Sequence, residues 1–174
     1  MATSIQQAKI TGLAAILPAA TEARQPAFRR VYDRNRHRIY SLAFWMTDNE
    51  IEAEDLMRHT FLRAFAADNE PSEESIDRAL VGELRERMPL GILTLDVGTC
   101  TAVHSVRSNI LRVELECALV QAPATERLIF LLHDVESYDH ARIARTLGIL
   151  EDESRYGLHQ ARLKIRELLA AMRP

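Results

Sequence analysis

The sequence has little of several features that commonly stabilise or localise small proteins. Its 174 residues include two cysteines, Cys100 and Cys117, which provide no disulfide framework. No apolar run is long enough to cross a membrane, although 47% of the residues are hydrophobic and suffice for a folded core. The first residues lack the charged-then-apolar pattern of a secretory signal. We therefore expect no membrane insertion and a cytoplasmic location.

A strong charge of one sign is also lacking. The formal net charge is −3 at pH 7, which argues against a basic protein that binds nucleic acid without specificity. The charge remains compatible with a protein whose DNA contacts are few, local and assisted by a larger partner.

The usual signs of catalysis and of a bound cofactor are missing as well. There is no glycine-rich phosphate loop, and the six histidines are scattered without a nucleophile motif. Cys100, His104 and Cys117 fit no tight zinc-binding spacing, and no fourth ligand is evident. We predict that the protein is not an enzyme, has no catalytic or metal-binding residue and no cofactor, and that both cysteines are buried free thiols.

The first half of the chain has the apolar spacing of three helices. The pattern predicts a helix over Ala27–Thr47, a second with Ala53, Leu56, Phe61 and Phe65 on its apolar face, and a third over Ser75–Arg87. Ser72 is expected to cap the third helix, and Pro89 with Gly91 to end it.

The second half is predicted to hold four more helices, Arg112–Gln121, Ala124–His133, Asp139–Leu147 and Glu151–Met172. Residues 92–104 have no clear helical period and suggest a linker, although a short strand within Leu93–Val97 is an alternative. The fold class is therefore all-α, with two small helical domains on a flexible linker. The boundaries are an extension over 1–26, a domain over 27–91, a linker over 92–106 and a domain over 107–174.

The last two predicted helices have the pattern of a helix-turn-helix. Asp139 can accept hydrogen bonds from the free amides of a first turn, and Gly148 stands where a helix ends with positive φ. The second helix of such a unit can lie in a DNA major groove. A plain helical hairpin has the same local pattern, so this stretch alone leaves both interpretations open.

Residues 53–65, AEDLMRHTFLRAF, closely resemble the region 2 core helix of extracytoplasmic-function sigma factors, approximately AEDLVQETFLRAW. In the second half, residues 122–132 are similar to the family pattern LPxxxRxVFxL. Further matches to region 4 follow in the family order at Ile143-Ala144, Leu147-Gly148-Ile149 and Leu158–Arg162. The resemblance covers residues 27–172 apart from a poor middle.

The resemblance implies a sigma factor that binds core RNA polymerase through region 2 and reads the −10 and −35 promoter elements with regions 2 and 4. An anti-sigma factor is a further partner that it implies. Carried onto this sequence, it implies polymerase-binding residues Glu54, Asp55, Arg58 and His59. The implied DNA-binding residues are Arg142, Ser154, Arg155, Tyr156, His159 and Arg162.

The sequence also departs from the family at several positions. Arg58-His59 replaces the family's Gln-Glu, and the −10-reading segment, here Ile76–Met88, has no aromatic residue. The start of the recognition helix carries Asp152-Glu153, which repels phosphate. These departures keep two alternatives open: a sigma-like interaction module that binds polymerase or a partner protein without promoter melting, and a dimeric helix-turn-helix regulator.

A purely structural role also stays open for two pairs of these residues. Glu54 and Asp55 can act as acids that favour the helix dipole. Arg155 and Arg162 can pair with acids of their own helix, Glu151 or Asp152 and Glu167.

Overall fold

The computed structural model describes residues 25–172 except for 69, 92 and 94–109, and all regular structure in these residues is helical. The helices are α1 (Gln25–Thr47), α2 (Glu50–Ala67), α3 (Glu73–Arg87), α4 (Arg112–Gln121), α5 (Ala124–Phe130), α6 (His140–Leu147) and α7 (Glu151–Ala171). This confirms the all-α fold class. None of these helices is both long enough and apolar enough to span a bilayer.

The ends of α2 and α3 are set by the side chains that precede them. Asp48 has a φ of 54°, and the side chain of Asn49 then accepts hydrogen bonds from the amides of Ile51 and Glu52 at 2.9 and 3.1 Å. The hydroxyl of Ser72 accepts from the amide of Ser75 at 3.2 Å, which confirms the predicted cap of α3. These caps satisfy amides that a helix cannot pair internally.

Aromatic rings hold α1 against α2. The ring centroids of Phe28 and Phe65 are 4.5 Å apart, and those of Tyr32 and Phe61 are 4.8 Å apart. Phe61 is fully buried. Aromatic pairs at such distances add to the stability that area burial alone provides.

The predicted helix Ala124–His133 is α-helical only as far as Phe130, which corrects its extent. Leu131–Val135 forms a π-helical turn, and the amide of Glu136 donates to the carbonyl of Leu131 at 3.0 Å. The turn leaves the adjacent Leu131 and Leu132 both buried. A single wider turn does not interrupt the apolar spacing, so the sequence pattern could not reveal it.

Gly157 lies buried in α7 at a close contact with α5. A Cβ atom placed here would be 2.6 Å from Cδ1 of Ile129 and 2.9 Å from Cδ2 of Leu93. Just before Leu93, the amide of Gly91 donates to Oγ1 of Thr125 at 3.0 Å. The segment that follows α3 is therefore attached to α5 and α7.

The two halves of the described chain pack against each other. Helix α1 contacts α4 and α5, and α3 contacts α6. The buried apolar residues form one continuous cluster that includes Leu42 and Met46 of the first half and Leu119 and Leu128 of the second.

One cysteine differs from its prediction. Cys117 is exposed on α4, so the prediction of a buried thiol at this position was wrong. Leu111 and Val113, at the start of this helix, are exposed as well. Cys100, His104, most of the predicted Leu93–Val97 strand and residues 1–24 lie outside the described residues.

Candidate nucleic-acid and protein interfaces

Helices α6 and α7 form a helix-turn-helix with well-defined ends. The carboxylate of Asp139 accepts from the amide of Arg142 at 2.6 Å, and α6 ends at Gly148, whose φ of 65° is in the left-handed region. The carboxylate of Glu153 then accepts from the amide of Leu150 at 2.7 Å at the start of α7. The turn between the two helices is therefore only three residues, 148–150.

The outer face of α7 presents one row of polar side chains at helical spacing. Arg155, Tyr156, His159, Arg162 and Arg166 are all exposed. Three of the five are arginines, which suits contact with phosphates and base edges. We call these five residues the α7 outer face.

Two arginines of the α7 outer face are already paired with acids. Arg155 bonds to Glu151 and lies 3.9 Å from Asp152, as the purely structural interpretation predicted. Arg162 bonds instead to both carboxylate oxygens of Asp134, at 2.6 and 3.0 Å, and not to Glu167. Burial raises the pKa of Asp134, but the hydrogen bonds from Arg162 and His133 outweigh it and lower the pKa overall.

Two other residues predicted to bind DNA do not lie on this face. Ser154 is fully buried, and its hydroxyl is 3.0 Å from Nδ1 of His140. Arg142 points away from α7 toward α3. These two residues therefore stand apart from the α7 outer face, which helical spacing alone could not show because it does not reveal which face a neighbouring helix covers.

A histidine pair lies behind the turn. The rings of His133 and His140 are stacked with centroids 4.7 Å apart. Burial lowers the pKa of His140, and the nearby charges of His133, Arg155 and Arg162 lower it further. These effects favour the neutral form of His140.

On the first half of the chain, three of the four residues predicted to bind polymerase come together. Asp55 bonds to Arg58 at 2.7 Å and lies 3.2 Å from Nδ1 of His59. Arg87, from the end of α3, also bonds to Asp55, at 2.9 Å. The hydrogen bonds from Arg58 and Arg87 lower the pKa of Asp55 to about 2.

We call Asp55, Arg58, His59 and Arg87 the Asp55 cluster. Glu54 is exposed and stands outside it. Arg87 was missed because nothing in the sequence links the last turn of α3 to the second turn of α2. The cluster has one carboxylate and two guanidinium groups, which agrees with the replacement of the family's Gln-Glu by Arg58-His59.

A second cluster, also missed, connects the two halves. Asp77 of α3 bonds to Arg38 of α1 at 2.5 Å, to the hydroxyl of Tyr138 at 2.9 Å and to Arg142 of α6 at 2.9 Å. The guanidinium of Arg142 also stacks 3.6 Å from the centroid of the Tyr138 ring. Burial and the charge of Asp77 raise the pKa of Tyr138, which keeps its proton available to Asp77. We call these four residues the Asp77 cluster.

A further contact between the halves involves the carboxyl end of α1. Arg127 of α5 donates to the carbonyls of Met46 and Trp45, at 3.1 and 3.4 Å, and to that of Ala122 at 2.9 Å. Burial lowers the pKa of Arg127, and the charge of Asp48 offsets part of this shift. Arg127 corresponds to the arginine of the LPxxxRxVFxL pattern, so the sequence signalled its importance but not its partner.

Comparison with known proteins gives two findings. Residues 104–165 match the family model for sigma-70, region 4. The chain is also 25% identical, over 175 aligned positions, to the ECF RNA polymerase sigma factor SigE of Mycolicibacterium smegmatis, and the match spans 92% of this chain and 68% of that protein. The region 4 match includes all of α4, α5 and α6 and four of the five residues of the α7 outer face, since it ends one residue before Arg166. Together, the two findings support an extracytoplasmic-function RNA polymerase sigma factor.

Proposed function

We propose that this protein binds core RNA polymerase and directs promoter-specific transcription initiation, and that the α7 outer face reads promoter DNA. The exposed row of three arginines, Tyr156 and His159 on the second helix of a helix-turn-helix carries the proposal. Ser154 and Arg142 are left out of this contact because one is buried and the other is bonded to Asp77.

The Asp55 cluster is the proposed polymerase contact. Its residues lie on α2 and at the end of α3, near the exposed Glu54. A mixed cluster of one acid and two arginines can pair with both signs of charge on a partner, and such contacts mainly steer association and orientation. Binding is therefore expected to weaken with salt.

Run-off transcription with core polymerase and a promoter library tests the DNA-reading proposal. Arg162→Ala combined with Arg166→Ala is expected to lower promoter-specific product by about tenfold or more, since one arginine–guanine contact alone is worth about 1–3 kcal/mol. Arg112→Ala is the matched control, because Arg112 is an exposed arginine of α4 outside the α7 outer face. Equal transcription by the double variant and the control would contradict the proposal.

Co-purification with core polymerase tests the Asp55 cluster. Asp55→Arg is expected to abolish stoichiometric binding, because it reverses one charge and leaves Arg58 and Arg87 unpaired. Asp33→Arg is the matched control, since Asp33 is an exposed acid of α1 that pairs only with neighbours on its own helix. Native protein that binds polymerase but gives no run-off product would instead favour an interaction module without promoter melting.

A further inference from the structure

Helix α3 holds α6 along its whole length. At one end, Asp77 and Glu73 approach Arg142 at 2.9 and 3.7 Å. Glu74 lies 3.8 Å from Arg145 one turn further along α6. At the other end, Arg85 donates to the carbonyl of Leu147, the last residue of α6.

The centre of this contact is the most buried ionic group between the halves. The side chain of Asp77 is 2% exposed, and those of Arg38 and Arg142 are 17% and 25% exposed. Asp77 accepts from both arginines and from Tyr138. A buried carboxylate with three donors is well satisfied, whereas removal of the acid would leave two partly buried cations without it.

This packing is incompatible with simultaneous reading of two promoter elements. Under the proposed function, α3 occupies the position of the −10-reading segment in the chain, and α7 faces the −35 element. Elements about 25 base pairs apart are roughly 85 Å apart along B-DNA. Duplex DNA of that length is far below the persistence length and does not fold back on itself at low cost. While α3 stays packed against the helix-turn-helix, the two halves cannot reach the −10 and −35 elements at the same time.

We infer that the structure is a closed state in which the Asp77 cluster is the latch, and that the halves must separate before the protein engages a promoter. The inference rests on the proposed function for its consequence in transcription, but the closure itself can be measured without polymerase or DNA. The latch fixes Arg142 near the start of α6, and Arg85 holds the carboxyl end of the same helix, so the helix-turn-helix cannot leave α3 while these contacts persist.

The first test measures the distance between α2 and α7 in the full chain by fluorescence energy transfer. Labels are placed on cysteines introduced at the exposed Glu52 and Glu167, with both native cysteines changed to serine. The protein with its native latch is expected to show a single short distance between α2 and α7. Asp77→Asn keeps the shape of the side chain but removes its charge, and is expected to raise the population of long distances at least tenfold.

Asp33→Asn is the control, since it removes an exposed carboxylate that does not contact the second half. Circular dichroism establishes that each variant keeps its helices. If Asp77→Asn unfolds, Arg142→Gln replaces it, because Arg142 is the latch partner of Asp77 in the second half. A folded latch variant with an unchanged distance distribution would overturn the inference.

The second test locks the closed state. Glu74→Cys and Arg145→Cys, in the chain without native cysteines, are joined by a bis-maleimide with a reducible spacer. Run-off transcription is expected to fall at least tenfold on crosslinking and to return when the spacer is reduced. Full transcription by the crosslinked protein would overturn the inference. If even the uncrosslinked protein fails to transcribe, the proposed function fails, and the distance measurement still decides whether Asp77 closes the molecule.

Discussion

At the scale of single residues, Gly157 is required by close packing, although a glycine inside a helix is intrinsically unfavourable. A glycine inside a helix costs roughly 1 kcal/mol relative to alanine. Here a Cβ would come within 2.6 Å of Ile129, which is fully buried and cannot move aside. We expect Gly157→Ala to lower the free energy of unfolding by about 1–2 kcal/mol, because overpacking exceeds the gain in helix propensity. Urea unfolding measures this change.

Gly82 provides the matched control on α3. A Cβ here would meet only the side chain of Arg63, which is 40% exposed and can shift at the small cost of its ion pairs with Glu83 and Glu86. Gly82→Ala should therefore be neutral or stabilise by up to about 1 kcal/mol. Equal destabilisation by the two substitutions would contradict the packing argument for Gly157.

His140 gives the molecule a pH dependence of known sign. Its pKa in the folded state is lowered, mainly by burial, below the unfolded value of about 6.5. The folded state therefore binds fewer protons than the unfolded state near pH 6. We expect the free energy of unfolding to fall as the pH drops from about 7 through the folded pKa. His140→Gln should remove part of this slope in unfolding curves measured from pH 5 to 8.

The control for the His140 variant is a substitution of an exposed histidine elsewhere in the chain. His37 lies on the outer side of α1 and makes no hydrogen bond in the described structure. His37→Gln is the control, because it removes an exposed histidine without touching the stacked pair. A slope that is unchanged by His140→Gln would show that the stacked pair is not the source.

At the scale of helices, α1 depends on a residue far along the chain for its carboxyl end. It has no basic residue in its last turn, and Arg127 supplies the missing donor and positive charge. We expect Arg127→Met to lower the free energy of unfolding by about 1–3 kcal/mol, as for loss of a charged hydrogen bond. Thermal unfolding followed by circular dichroism measures the loss.

Arg112→Met is the control for Arg127, because Arg112 is 86% exposed and bonds only to Glu116 on its own helix. Its effect should stay within about 0.5 kcal/mol, as is usual for surface positions. A similar effect of both substitutions would mean that α1 does not depend on Arg127.

The helices themselves could be predicted from the sequence with good accuracy. Apolar spacing and the caps Ser72 and Asp139 placed their ends within a few residues. What could not be predicted was contact between distant residues. Asp77 lies among Ile76, Leu80 and Leu84 on a buried face. A charged residue on an otherwise apolar face was the only feature of the sequence that indicated a polar contact there. Its three partners come from 39 to 65 residues away.

At the scale of the whole molecule, we expect added salt to weaken DNA binding but to leave the two halves closed. The Asp77 cluster is buried and screened little, whereas the α7 outer face is exposed. If its three arginines each displace one counterion, DNA affinity should fall roughly 500-fold between 50 and 500 mM salt. The distance between α2 and α7 should hardly change over the same range. If the distance between α2 and α7 lengthened in parallel with the loss of DNA affinity, the result would contradict burial of the latch.

The attachment of the segment after α3 has a consequence for protein engineering. Gly91 bonds to Thr125, and Leu93 packs against Gly157 beneath the outer face of α7. Gly91 is the last residue of the predicted first domain and Leu93 lies in the predicted linker, but both belong by contact to the second half. A chimera that joins this helix-turn-helix to the first half of another sigma factor should therefore take its junction before Gly91. A junction placed at residue 107 would leave the groove beside Gly157 without its leucine and expose the side of Ile129.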